Sequence, residues 1–141
     1  MNKGTRAMTK SGAEKKKKRS IIIPQGGKVL PEPIEISAAR ILGKYFKNDV
    51  EFIPVTSSKT PDFVIDGVRW ELKSPTGKGK YTIQHQFHRA TKQSKNIIID
   101  ARRCKLHIAR IRREVNYQVG LSRGIKRVIL IEKSEKVVVI K

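Results

Sequence analysis

The stretch "PDFVIDGVRWELK", residues 61–73, constrains the fold of this chain more than any other. Asp66-Gly67 separates two short runs of β-branched and aromatic residues, the pattern of a hairpin closed by a two-residue loop. Such a loop pairs Ile65 with Val68, Phe63 with Trp70 and Asp62 with Glu71. Side chains alternate along a strand, so Phe63, Ile65, Val68, Trp70 and Leu72 share one face, which reads as core. The other face carries Asp62, Val64, Arg69, Glu71 and Lys73. Two carboxylates then stand opposite each other with Cβ atoms about 4.5–5.5 Å apart, a destabilising pair unless something offsets it.

A proton held by one carboxyl, an arginine bridging both, or a shared divalent cation would each relieve that repulsion. Hard cations such as Mg²⁺ or Mn²⁺ take oxygen ligands, and a magnesium site commonly uses one or two protein carboxylates with water and substrate phosphate. Lys73, two residues from Glu71 on the same face, can act on an attacking water or on charge developing at phosphorus. The set suits metal-assisted hydrolysis of a phosphodiester. The plainer alternative is a solvated strand face on which Lys73 and Arg69 balance the carboxylates.

Charge says what such a face would meet. Thirty-two Lys and Arg against twelve Asp and Glu give a net charge of +20. Eight of those cations and one acid, Glu14, fall in residues 1–19, so that segment carries +7 and the remainder +13. A folded body this basic implies a polyanionic partner, most often nucleic acid, bound in a salt-sensitive way. No apolar run approaches the length of a membrane span, and none reads as the apolar core of a cleaved signal peptide. Cys104 is the single cysteine, which excludes an internal disulfide and a thiolate zinc site and reads as a small buried hydrophobe. His85 and His88 stand at i, i+3 with no third ligand close in sequence, so phosphate or solvent suits them better than a metal.

Residues 1–30 read as a basic linker, with Ile21–Ile23 a candidate edge strand, and 31–141 as one folded domain. From Pro33, Ile34, Ala38, Ile41, Leu42 and Tyr45 fall at helical spacing, with Glu35 in the first turn where a carboxylate favours the positive helix end. "VEFIPV" (50–55) reads as a strand, followed by the hairpin. "SPTGKGK" (74–80) is a flexible basic loop in which Lys78 and Lys80 can approach phosphate. A helix over 81–95 turns Ile83, Phe87, Ala90 and Ser94 inward and shows Gln86, His88, Arg89, Lys92 and Gln93 outward. "NIIID" (96–100) is a buried central strand, with Arg102 and Arg103 just past its end, where ligands meet the sheet in α/β folds. A second basic helix over 105–119 and the strands "RVILIE" and "KVVVIK", joined around Ser134, complete an α/β fold with a mixed sheet flanked by helices.

Pro61-Asp62 followed across the hairpin by Glu71-Leu72-Lys73 resembles the PD-(D/E)xK nuclease signature. The longer text, "TPDFVIDGVRWELKSPTGKGK" and then "QHQFHRATKQSKNIIIDARR", resembles the tRNA nuclease domains at the C-termini of CdiA-type contact-dependent growth inhibition proteins and related polymorphic toxins. The likeness spans roughly residues 31–141. It implies a restriction-endonuclease-like core and a monomer that cleaves tRNA with Mg²⁺ or Mn²⁺. In that reading Asp62, Glu71 and Glu35 hold the metal, Glu32 being the less favoured neighbour of Glu35, and Lys73 completes the catalytic set. Gln86 or Gln93 would orient substrate, and Lys78, Lys80, Arg89, Arg102 and Arg103 would grip its phosphates. The resemblance further implies delivery from a cell surface within a larger secreted effector, action in the target-cell cytoplasm, and a small acidic immunity protein as partner. Two alternatives stay open on the residues alone: a DNA endonuclease of restriction or junction-resolving type, and a basic RNA-binding module without catalysis.

Overall fold

The turn forms as its residues dictate. Asp66 (φ 49°) and Gly67 (φ 76°) both take left-handed backbone, the requirement of a type I′ hairpin loop. Around it this computed structural model, which describes residues 19–24, 30–54 and 62–141, builds a mixed α/β fold. The elements run β1 (Ile21–Ile22), α1 (Pro33–Phe46), β2 (Val50–Phe52), β3 (Phe63–Ile65), β4 (Val68–Lys73), α2 (Thr82–Thr91), β5 (Asn96–Asp100), α3 (Ile108–Leu121), β6 (Arg127–Ile131) and β7 (Val137–Val139). The strands form one seven-stranded sheet in chain order, β1 to β7. Pairing is parallel between β1 and β2, antiparallel through β2–β3–β4, parallel through β4–β5–β6, and antiparallel at β6–β7.

Alternation along the central strands sends apolar side chains to both faces, as a sheet covered on both sides requires. One face buries Phe63, Ile65, Trp70, Leu72, Ile98 and Ile129 with Ala38, Ala39 and Leu42 of α1. The other buries Ile97, Ile99, Val128 and Leu130 with Ile83 and Phe87 of α2 and Ile111 and Val115 of α3. The face assigned to the hairpin from its spacing is therefore the core face under α1. Ile21–Ile22 does form an edge strand, and the Val50 N–H donates to the Ser20 carbonyl beside it at 3.0 Å. The rest of the basic tail, residues 1–18 and 25–29, and Val55 of the expected strand 50–55 lie outside the described residues.

Three expected boundaries move. The first core strand ends at Phe52. Helix α2 ends at Thr91, not 95, and Ser94 instead donates its hydroxyl to the Arg69 carbonyl at 3.1 Å, fastening the chain for entry into β5. Helix α3 begins at Ile108, not 105, because His107 Nδ1 accepts the Ala109 N–H at 3.1 Å and so caps the helix. Leu106 is buried as expected, though from the turn before the helix.

One side chain fastens α1 to the sheet. Arg102, just past β5, donates to both oxygens of the buried Asp100 at 2.9 and 2.7 Å. It also reaches the Ser37 hydroxyl and the Ile34 carbonyl in the first turns of α1. Its side chain is 11 % exposed and that of Asp100 1 %. The guanidinium expected at a phosphate-gripping rim is instead a strut that sets the start of α1 against the carboxyl end of β5. Removing one partner of a buried ion pair costs about 3–5 kcal/mol, because the remaining charge is left unpaired. Arg102→Ala should therefore lower stability in urea unfolding by about that much. Arg103→Ala, at an exposed neighbour, should stay within about 0.5 kcal/mol of wild type.

Candidate active site

Strand direction gathers the candidate residues at one edge of the sheet. The carboxyl ends of β4, β5 and β6 point the same way, and β3 runs antiparallel to β4, so Asp62 at its start lies beside the end of β4. The Arg102 strut brings the first turn of α1, with Glu35, to the same edge. Glu32, Glu35 and Asp62 line one cavity of about 320 Å³ there, walled by Ile23, Leu30, Phe52 and Pro54.

Asp62 does not simply oppose Glu71 in the ladder. Regular pairing stops at Phe63–Trp70, and the Asp62 N–H donates to the carbonyl of that same Trp70 at 3.0 Å. The extra residue kinks the strand as a bulge does. Its carboxylate Oδ2 folds across to accept the Leu72 N–H at 2.7 Å. The two carboxyls still meet, within reach of sharing a proton. The irregularity brings them together, and not the direct cross-strand pairing expected from the turn.

Glu71 is 2 % exposed, and its Oε2 lies 3.0 Å from Lys73 Nζ. Oε1 is buried without a hydrogen-bond donor. Two ionised carboxylates cannot donate to each other, so only a proton or a cation can join them. Burial, and next the charge of Asp62, push the Glu71 carboxyl up to about 8, against the pull of Lys73. Asp62 is raised as well, chiefly by burial and then by Glu35, with the Leu72 N–H and Lys73 opposing. Two neighbouring acids that both resist ionisation are a common mark of a functional site.

Glu35 is placed differently from expectation. Its Oε1 accepts the Glu32 N–H at 2.7 Å, so it serves the start of α1. It acts on Asp62 through its field and the shared cavity. Among the described residues no group of three or more His, Cys, Asp or Glu side chains is set to hold a metal ion, so the expected three-carboxylate shell is not assembled. What remains is the Asp62–Glu71 pair, all oxygen and one atom short of a partner. That donor set fits a hard divalent cation whose other ligands are water and substrate.

The cationic candidates divide. Lys78, Lys80 and Arg103 are exposed on loops at this edge. The loop carrying the lysines is pinned by the Gly77 carbonyl, which accepts the Lys105 N–H at 3.1 Å and faces Cys104 Sγ at 3.5 Å. Cys104 is thus the buried structural cysteine expected, held in a turn and not in a helix. Gln86 is half-buried midway along α2, and Arg89 is exposed in its last turn. Gln93 follows that helix, which is about 15 Å long, and so stands at the opposite end from the acidic pair. Sequence reasoning missed the ion pair of Arg112 with the buried Glu132, at 2.6 and 2.9 Å, which closes the end of β6. It also missed the stacking of Tyr81 on His85 at the start of α2, although their i, i+4 spacing was visible.

A solved CdiA-CT/CdiI toxin and immunity complex from Burkholderia pseudomallei contains a chain of similar fold. The TM-score is 0.58 over 86 % of this chain and 98 % of that one, at 23 % identity. No curated protein matches. The family model for the contact-dependent growth inhibition CdiA C-terminal domain matches residues 59–137, a span that holds the acidic pair, Lys73 and the basic loop. The chain belongs to the family of CdiA C-terminal domains of contact-dependent growth inhibition.

Proposed function

We propose that this growth-inhibition toxin domain is a metal-dependent ribonuclease of the PD-(D/E)xK kind that cleaves tRNA. The observation that carries the reading is the Asp62–Glu71 carboxyl pair, buried, proton-hungry and one donor short, beside Lys73 at an edge ringed by exposed cations. The charge of +13 outside residues 1–19 supports a nucleic-acid substrate. The choice of tRNA rests on the resemblance of the sequence to tRNA nuclease domains.

Asp62 and Glu71 would hold Mg²⁺ or Mn²⁺, which when bound supplies Lewis-acid polarisation of a phosphoryl oxygen and a more acidic water. Lys73, fixed against Glu71, keeps an ammonium beside the reacting phosphate and neutralises charge as it develops there. Lys78, Lys80 and Arg103 contact the phosphate backbone, and Glu35 shapes the field at Asp62 from the cavity wall. The partner is a small acidic immunity protein that covers the Lys78/Lys80 loop. Its association rate should fall with rising salt, and its affinity should drop when Lys78, Lys80 and Arg103 are neutralised together, as calorimetry would show.

Incubation with total tRNA, total RNA and plasmid DNA, with and without Mg²⁺, tests the reading. Cleavage of tRNA in Mg²⁺ and none after EDTA is expected. Cleavage of DNA alone, or full activity in EDTA, overturns it. Asp62→Ala, Glu71→Ala and Lys73→Ala should each abolish cleavage. Asp62→Ala should melt somewhat below wild type, since the Leu72 N–H loses its acceptor, and Glu71→Gln, which keeps the side-chain volume, should melt near wild type at neutral pH.

The acidic pair also sets a pH dependence. Glu71 holds its proton to about 8 in the fold against 4.5 for the ordinary group, so the folded chain keeps a proton that the unfolded chain releases. Its contribution to stability is fully present below about pH 4.5 and is lost as pH rises through about 8. In metal-free urea unfolding, Glu71→Gln should match wild type near pH 4.5 and exceed it above pH 8 by on the order of 1 kcal/mol or more. Parallel curves for the two proteins would show that Glu71 ionises normally.

A further inference from the structure

At the same end of the sheet as the acidic pair, the start of α2 presents an aromatic platform. Tyr81 is 52 % exposed. Its ring stacks on that of His85, with centroids 6.0 Å apart and planes at 28°. Lys80 Nζ lies 5.5 Å from the centroid of the same tyrosine. The His85 N–H donates to the Tyr81 carbonyl at 2.9 Å, so backbone geometry holds the two rings on one side of the helix.

The platform is fixed in place. The Thr82 N–H donates to the Gly79 carbonyl at 3.2 Å, and the Gly77 carbonyl is fastened to Lys105. A Cβ on Gly77 would come within 2.9 Å of Thr82 Oγ1, so the loop lies tight against the first residue of α2. Tyr45, exposed to a similar degree, packs edge-on against Phe46 on the opposite side of the sheet and offers no such stack.

We propose that Tyr81, backed by His85 and flanked by Lys80, is a stacking subsite for one unpaired nucleobase of the RNA substrate, an inference that rests on the nuclease reading above. Every base has a π-face, and stacking on an aromatic side chain is tolerant of sequence. A base inside a duplex has its faces covered by its neighbours, whereas one in a loop or at an end can be laid against a protein ring. Lys80, displaced from the ring by an incoming base, is left to pair with the phosphate of that nucleotide, with Lys78 on the same loop. The subsite thereby directs the enzyme to single-stranded segments.

Fluorescence anisotropy in Mg²⁺-free buffer tests this, with a labelled twelve-nucleotide single-stranded RNA and its blunt duplex as probes. Wild type should bind both. Tyr81→Ala should bind the single strand about tenfold more weakly and the duplex unchanged, and Tyr81→Phe should keep wild-type affinity. Equal single-strand affinity for Tyr81→Ala and wild type, or an equal loss on both probes, overturns the subsite and leaves the nuclease reading standing. Wild type that bound neither probe would overturn the subsite, and the tRNA cleavage assay decides the nuclease reading separately.

Discussion

The domain is organised around two acids that its fold does not let apart. Nothing in the Asp66-Gly67 turn alone would bury Glu71. The apolar layers on both faces of the sheet do that, by packing helices over the strand that carries it. Once buried next to Asp62, the carboxyl prefers a proton, and whatever replaces that proton must bring positive charge. In the proposed nuclease reading, metal affinity would be a second expression of the same electrostatic demand. Lys73 meets part of it with its ammonium 3.0 Å from Glu71, and the unpartnered Oε1 marks the part left over.

A charge of +20 does not translate into twenty hands for phosphate. Several cations are spent inside the molecule. Arg102 neutralises Asp100, Arg112 neutralises Glu132, and Lys133 donates to the Leu106 carbonyl at 2.8 Å. These contacts close the carboxyl ends of β5 and β6, leaving the end of β4 as the place where acidic groups and free cations coincide. The sheet edge is divided between a braced part and an acidic part.

That division explains which features could be read from the sequence. The hairpin, its core face, the central strand 96–100 and the existence of the three described helices follow from local turn chemistry and periodicity. The Arg102 strut could not be foreseen, because its partners Ser37 and Ile34 lie far away in sequence and only the packing of α1 brings them near. The same holds for Asp62. Its turn predicts a directly opposed partner, but Ile53 on its other side accepts β3 as a neighbour and donates to the Asp62 carbonyl at 2.9 Å, so two strands compete for the shape of that residue. Glu35 was legible twice over, as a helix-start carboxylate and as a resemblance to a metal ligand, and the geometry realises the first. Gln93 lies at the far end of α2 because that helix runs away from the acidic edge.

Strand β1 has a mechanical consequence. It lies at the margin of the sheet, paired parallel to β2 through two residues, Ile21 and Ile22. Since β2 runs toward the acidic edge, β1 begins at the far side, and Arg19 leaves the sheet pointing away from Asp62 and Glu71. A force applied at Arg19 would load this margin strand first, and a strand this short can peel from β2 while the hairpin and the parallel strands beyond it stay closed.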